Sequence, residues 1–147
     1  ESKLYEEFHL DESWDSEHNI QLLSKMPHVF ANPNLELENR TVYLGFEGND
    51  TAFGDKPIGF AQILDGTANT ILAVEANEDA AVNWSAPQDI PFDPALDVNA
   101  VGNLRPGGFN ALLLDGSVRF FPNSIEQQAL KNWIQKSDGN IVEYPFR

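Results

Sequence analysis

The stretch Arg105–Phe121, RPGGFNALLLDGSVRFF, decides how this chain is read. Two glycines free the backbone, an apolar run follows, and Asp115-Gly116 supplies a residue pair suited to positive φ before a second apolar run returns. This predicts a β-hairpin. A two-residue turn at Asp115-Gly116 sets Leu114 opposite Ser117, Leu113 opposite Val118, Leu112 opposite Arg119 and Ala111 opposite Phe120. One face then carries Phe109, Ala111, Leu113, Val118 and Phe120, and the other carries Asn110, Ser117 and Arg119. Such a hairpin is a scaffold element with one buried face, and it holds no nucleophile–base pair.

Helical signals elsewhere are few. Leu4, Tyr5 and Phe8 fit a short amphipathic turn. Asp15 or Ser16 caps a helix with Ile20, Leu23 and Met26 on its apolar side, Trp14 as a staple and Pro27 as its stop. Ser124 and Gln127 form a capping box for a helix over 125–137, where Ala129, Leu130, Trp133 and Ile134 share a face and Gly139 supplies the exit. Strands are expected over 28–31, 41–46, 58–63, 70–75 and 141–144. The segment 77–103, rich in Pro, Asp and Asn, reads as a long ordered loop because Trp84, Ile90 and Phe92 need somewhere to bury. The expectation is one α+β domain spanning 1–147, an antiparallel sheet with helices on one face.

Composition narrows the function classes. With 9 basic and 23 acidic side chains the net charge is −14, which disfavours nucleic acid and anionic membrane surfaces as partners. The chain has no cysteine, which removes disulfides, thiol catalysis and thiolate metal sites together. It carries no Gly-rich phosphate loop followed by Lys-Ser or Lys-Thr and no Gly-x-Ser-x-Gly elbow. His9, His18 and His28, spaced by 9 and 10 residues, fit no helical ligand pair, and His18 reads as a local hydrogen-bonding residue. The most metal-like stretch is Asp65, Thr67 and Asn69 with Glu75, which offers oxygen donors suited to calcium. The plainer reading is an Asx-type turn in which Asp65 and Asn69 bond local backbone. Asp65 with Glu75 could also pose as a glycosidase carboxylate pair, but sequence fixes no separation between them. The acidic set Glu78, Asp79, Asp89, Asp93 and Asp97 is read as a solvated loop. Trp84, Phe92, Phe53 and Tyr43 supply either core or a stacking platform for a glycan or small solute.

Four blocks in order resemble a known family. Leu10-Asp11-Glu12-Ser13-Trp14-Asp15-Ser16-Glu17-His18-Asn19 comes first, and Asp65-Gly66-Thr67-Ala68-Asn69-Thr70-Ile71-Leu72 with Glu75 second. Trp84 to Pro94 is third, and Arg105-Pro106-Gly107-Gly108-Phe109-Asn110 leading to Asp115-Gly116-Ser117-Val118 is fourth. Together they resemble planctomycete pseudopilin-like proteins of unknown function that end in a His-x9-Asp-Gly motif. Arg105 stands where that motif has histidine, and the motif residues Gly107, Gly108, Asn110, Asp115 and Gly116 match. The resemblance implies a pilin-like headgroup of type II secretion or type IV pilus kind. It also implies an extracytoplasmic location, other pseudopilin or secretion-system subunits or surface proteins as partners, and a membrane tie only through a long N-terminal helix lying outside this chain. The chain is then expected to be the soluble C-terminal part of a longer precursor. An arginine, which does not deprotonate, argues against acid–base chemistry at 105 and for a contact that fixes the loop. A non-enzymatic structural or interaction domain is the first expectation, with no cofactor unless calcium binds. An exported small-solute or carbohydrate-binding domain is the alternative.

Overall fold

Alternation along Gly108–Leu113 organises the molecule: Phe109, Ala111 and Leu113 are buried, while Asn110 and Leu112 point to the opposite side. A computed structural model describes residues 2–54 and 56–144. Its strands, in chain order, are β1 (Arg40–Thr41), β2 (Tyr43–Leu44), β3 (Phe46–Glu47), β4 (Ile71–Glu75), β5 (Val82–Asn83), β6 (Ile90–Pro91), β7 (Gly108–Leu113) and β8 (Val118–Pro122). The helices are α1 (Ser2–Glu7) and α2 (Gln127–Ile134), joined by several short 3₁₀ turns. β2, β4, β7 and β8 form one antiparallel sheet in that order. Two small pairs flank it, β1 with β5 antiparallel and β3 with β6 parallel. The architecture is mixed α and β with mostly antiparallel pairing, in keeping with an α+β class.

The hairpin forms, but one residue out of the expected register. Phe109 pairs with Phe121, Asn110 with Phe120, Ala111 with Arg119 and Leu112 with Val118. The loop has three residues, not two: Gly116 N–H donates to Leu113 O at 3.0 Å and Leu113 N–H donates to Ser117 O at 2.8 Å. Gly116 sits at φ 85°, the pattern of a type I turn closed by a left-handed glycine bulge. The Asp115 carboxylate fixes this choice by accepting from both the backbone N–H and the hydroxyl of Ser117. A slip of one residue exchanges the faces of the whole returning strand. Phe121 is therefore fully buried, and Val118 and Phe120 look outward, the reverse of the expected arrangement for β8.

The inner face of the sheet carries the core. Leu44, Ile71, Val74, Phe109, Ala111, Leu113 and Phe121 meet Leu130, Trp133 and Ile134 of α2 there. A bulge between Ile71 and Ala73 lets Ile71 and Val74, three residues apart, face the same side. Phe121 sits edge-on to Trp133 at 5.2 Å between ring centroids. The expected apolar face of α2 is thus present, but the helix is shorter than 125–137 and lacks the capping box. The Gln127 amide instead bonds Val98, accepting from its N–H and donating to its C=O, and so ties the long loop to the helix.

Other local expectations are corrected too. Residues 28–31 and 58–63 form 3₁₀ turns at His28–Phe30 and Phe60–Gln62, not strands, and Val29 and Phe60 stay exposed. Residues 141–144 join no strand. The element at Asn19–Lys25 is 3₁₀, so its inward residues are Asn19 and Leu22, and Ile20 points to solvent. Within the long loop, Ile90 is buried and Phe92 packs against Phe46.

Two expected outcomes test this packing. Trp133→Ala should lower stability by about 3–5 kcal/mol in urea titration, the usual cost of truncating a buried tryptophan. Gly116→Val should cost about 1–2 kcal/mol from backbone conformation alone, since a Cβ there meets nothing within 4 Å. An unchanged melting temperature for Gly116→Val would refute the left-handed turn.

Candidate functional site

The outer face of the main sheet holds a buried carboxylate. Register places Glu75 of β4 beside Tyr43 of β2, with Asn110 of β7 on its other side. The Glu75 side chain is only 6% exposed. Arg105 reaches over it from the loop before β7 and donates Nε–H to Oε2 and Nη2–H to Oε1, both at 2.6 Å. Asn110 adds a side-chain bond at 3.0 Å and a backbone bond at 3.4 Å, both to Oε2. Burial pushes the Glu75 carboxyl up, but the bonds and charge of Arg105 and the bonds from Asn110 outweigh it and hold the group below the usual carboxylate range. The Arg105 guanidinium is held above its ordinary value by its bonds to Glu75. Burial, then the Glu75 charge, pushes the Tyr43 phenol up. Beside this ion pair lies a shallow hollow of about 260 Å³ floored by Ala73, Leu112 and Val118 with Tyr43 at its rim.

Gly107 and Gly108 serve the same loop. Gly107 has φ 83°, which turns the chain from Arg105 into β7. The Phe120 ring lies across Gly108, where a Cβ would come within 2.8 Å of the ring and 2.0 Å of the Phe121 carbonyl oxygen. The motif residues Arg105, Gly107, Gly108, Asn110, Asp115 and Gly116 therefore form a built unit, a clamped loop followed by a hairpin.

The proposed calcium set does not assemble. Glu75 is the last residue of β4, whereas the 65–69 turn precedes its first, and Glu75 is occupied by Arg105 and Asn110. The same separation removes Asp65 and Glu75 as a glycosidase pair. The Asp65 carboxylate accepts from the backbone N–H groups of Asp138 and Gly139 at 2.9 and 3.0 Å, pinning the chain after α2. The expected turn, with both side chains on local backbone, is therefore corrected: only the Asn69 amide bonds locally, donating to Asp65 O at 2.9 Å, while the Asp65 carboxylate is spent on the distant chain. Thr67 O accepts from Asp115 N–H, which docks the hairpin tip on this turn. Among the described residues, no group of three or more His, Asp or Glu side chains is arranged to hold a metal ion.

The remaining candidates serve local contacts. Trp84 packs between Phe8 and Phe30, and its indole N–H donates to Leu23 O at 2.9 Å, so it fastens the N-terminal segment. Phe92 lies on Phe46, Phe53 covers Gly45, and Tyr43 stands on the outer sheet face. His9 and His18 stack at 3.6 Å, and His18 Nε2 bonds Glu7 O. The neighbouring Asn19 is the hub of the first block: it accepts from His9 N–H and donates to His9 O and Ser13 O, all at 2.9 Å. Sequence reading missed this role because a buried asparagine has no periodic signature. In the acidic loop, Asp89 accepts from Gly45 N–H and Asp97 lies 3.6 Å from Lys131.

Compared with protein-family models, curated proteins and solved structures, the chain finds no match in any of the three. Among the described residues, no helix is long and apolar enough to cross a membrane.

The ion pair has a defined pH dependence. Because Glu75 is depressed in the folded state, its stabilisation is present above the unfolded value of about 4.3 and is lost as pH falls through the lower folded value. Arg105→Ala should cost about 2 kcal/mol at neutral pH, between the values for exposed and buried pairs. Urea titrations at descending pH should show this deficit shrinking below about pH 4, once Glu75 is protonated in both proteins. A deficit independent of pH would assign Arg105 a packing role only.

Proposed function

We propose that this chain is a non-catalytic, exported interaction domain of pseudopilin-like kind, acting in assembly on the extracytoplasmic side. The observation that carries the reading is the Glu75 clamp. The most enclosed carboxylate of the outer sheet face is bonded by Arg105 and Asn110, and that arrangement serves to lock a loop rather than to move a proton. The ordered blocks support the pseudopilin-like part of the proposal, since each falls at a structural junction. Asn19 ties the first segment, Asp65 ties the chain after α2, Trp84 fastens the N-terminal segment, and Arg105 ties the loop into the hairpin. In this reading a long apolar helix joins the domain near α1. The commitment of Trp84 to Phe8 and Phe30 and of Phe92 to Phe46 weighs against the solute-binding alternative.

Cell fractionation and an activity panel test the reading together. The full-length protein should fractionate with the envelope and face outward in protease-shaving experiments, and the domain should turn over no glycan or peptide substrate. Turnover that vanishes in Glu75→Gln, or recovery with cytoplasmic markers, would overturn it.

A further inference from the structure

The hydrogen-bond alternation of the hairpin leaves a short edge with its backbone groups free. Leu113 N–H donates inward to Ser117 O and Asn123 N–H donates inward to Gly107 O, so by alternation 119 and 121 also bond inward. The N–H and C=O groups of Val118 and Phe120 consequently point away from the sheet. Pro122 takes the next outward position, where a missing N–H costs no ladder bond. Among the described residues β8 is an edge strand of the sheet. Its outward-facing side chains are apolar, Val118 at 63% and Phe120 at 41% exposure, and Val118 lines the hollow together with Leu112 and Ala73. The Arg119 side chain lies between them on the other face. Its guanidinium rests 4.9 Å over the Tyr144 ring and makes no ion pair among the described residues.

From this we infer that β8 is a strand-addition site for an extended segment of another protein with the pattern apolar–acidic–apolar. The inference deepens the interaction-domain reading by naming its surface and partner. A strand added antiparallel to β8 bonds the backbone of Val118 and Phe120 at hydrogen-bonded positions. Opposite Arg119 it occupies a non-hydrogen-bonded position, where facing side chains approach closest, so charge selects an Asp or Glu there. The two neighbouring residues of the added strand fall on the outer face against Val118 and Phe120. A second copy of this chain fits poorly: antiparallel self-pairing about Arg119 sets that residue against its own counterpart, where like charges face each other. The site is short, closed by the hairpin tip at one end and Pro122 at the other, which suits a weak, reversible contact.

The test uses two blocked peptides, one centred on Thr-Val-Glu-Val-Thr and one on Thr-Val-Lys-Val-Thr, titrated into isotope-labelled protein. The acidic peptide should saturably shift the Val118 and Phe120 amides and slow their hydrogen exchange, and should bind at least about 5-fold more tightly than the basic one, as expected for exchanging an opposite for a like cross-strand charge. Arg119→Glu should reverse the order, and Val118→Lys should weaken both peptides while leaving the rest of the spectrum unchanged. Equal affinity for the two peptides, no response at Val118 and Phe120, or protection of those amides by self-association would each overturn the proposal. Such a failure leaves the interaction-domain reading standing, because that reading depends on turnover and cellular location.

Discussion

A carboxylate buried on the outer face of a sheet requires compensation, and the Arg105–Glu75 pair supplies it. Removing one charge from water is expensive unless its lone pairs are filled with good geometry. Here two guanidinium bonds and two from Asn110 fill them. The geometry fixes several elements at once. Glu75 lies between β2 and β7, Asn110 belongs to β7, and Arg105 belongs to the loop that β7 leaves. Satisfying Glu75 therefore sets where that loop crosses the sheet, and Gly107 and Gly108 then let the backbone turn beneath it.

The hairpin follows from this anchor, and its register sorts the sheet into two unlike faces. The inner face closes over α2 through Phe121 and Trp133. The outer face is polar where Glu75 is clamped and apolar where Leu112, Val118 and Phe120 follow. The division turns on one glycine bulge. Had the loop contained two residues, Phe120 would be core and Phe121 surface, and the edge strand would present Arg119 beside Leu112.

Much of this was legible in the residues, for identifiable reasons. The alternation in β7 and the apolar stripe of α2 are periodic, and periodic signals survive without tertiary context. The register of β8 was not legible, because Phe120 and Phe121 are adjacent aromatics and either suits a core. The deciding signal was Asp115 two residues before Ser117, whose side-chain bonds favour the three-residue loop. The segments at 28–31 and 58–63 have strand-like composition but pair with no strand, so tertiary context overrode propensity. At the candidate site, the sequence suggested that Arg105 would fix a loop, and the structure identifies Glu75 as its acceptor. The grouping of Glu75 with Asp65 failed because a strand carries its two ends apart, and sequence proximity concealed that distance.

The choice of arginine at 105 bears on how the clamp behaves. A histidine there would donate through a single ring nitrogen and would lose its charge near neutral pH. Arginine offers a planar fork that meets both carboxylate oxygens and stays charged throughout. The clamp therefore responds to acid only through Glu75, well below neutrality, and is constant across the range in which a histidine would titrate. A loop held so constantly is suited to presenting a fixed surface. Since that loop leads directly into β7, and β7 positions β8, the rigidity reaches an edge strand of the sheet whose outward backbone groups can meet another chain.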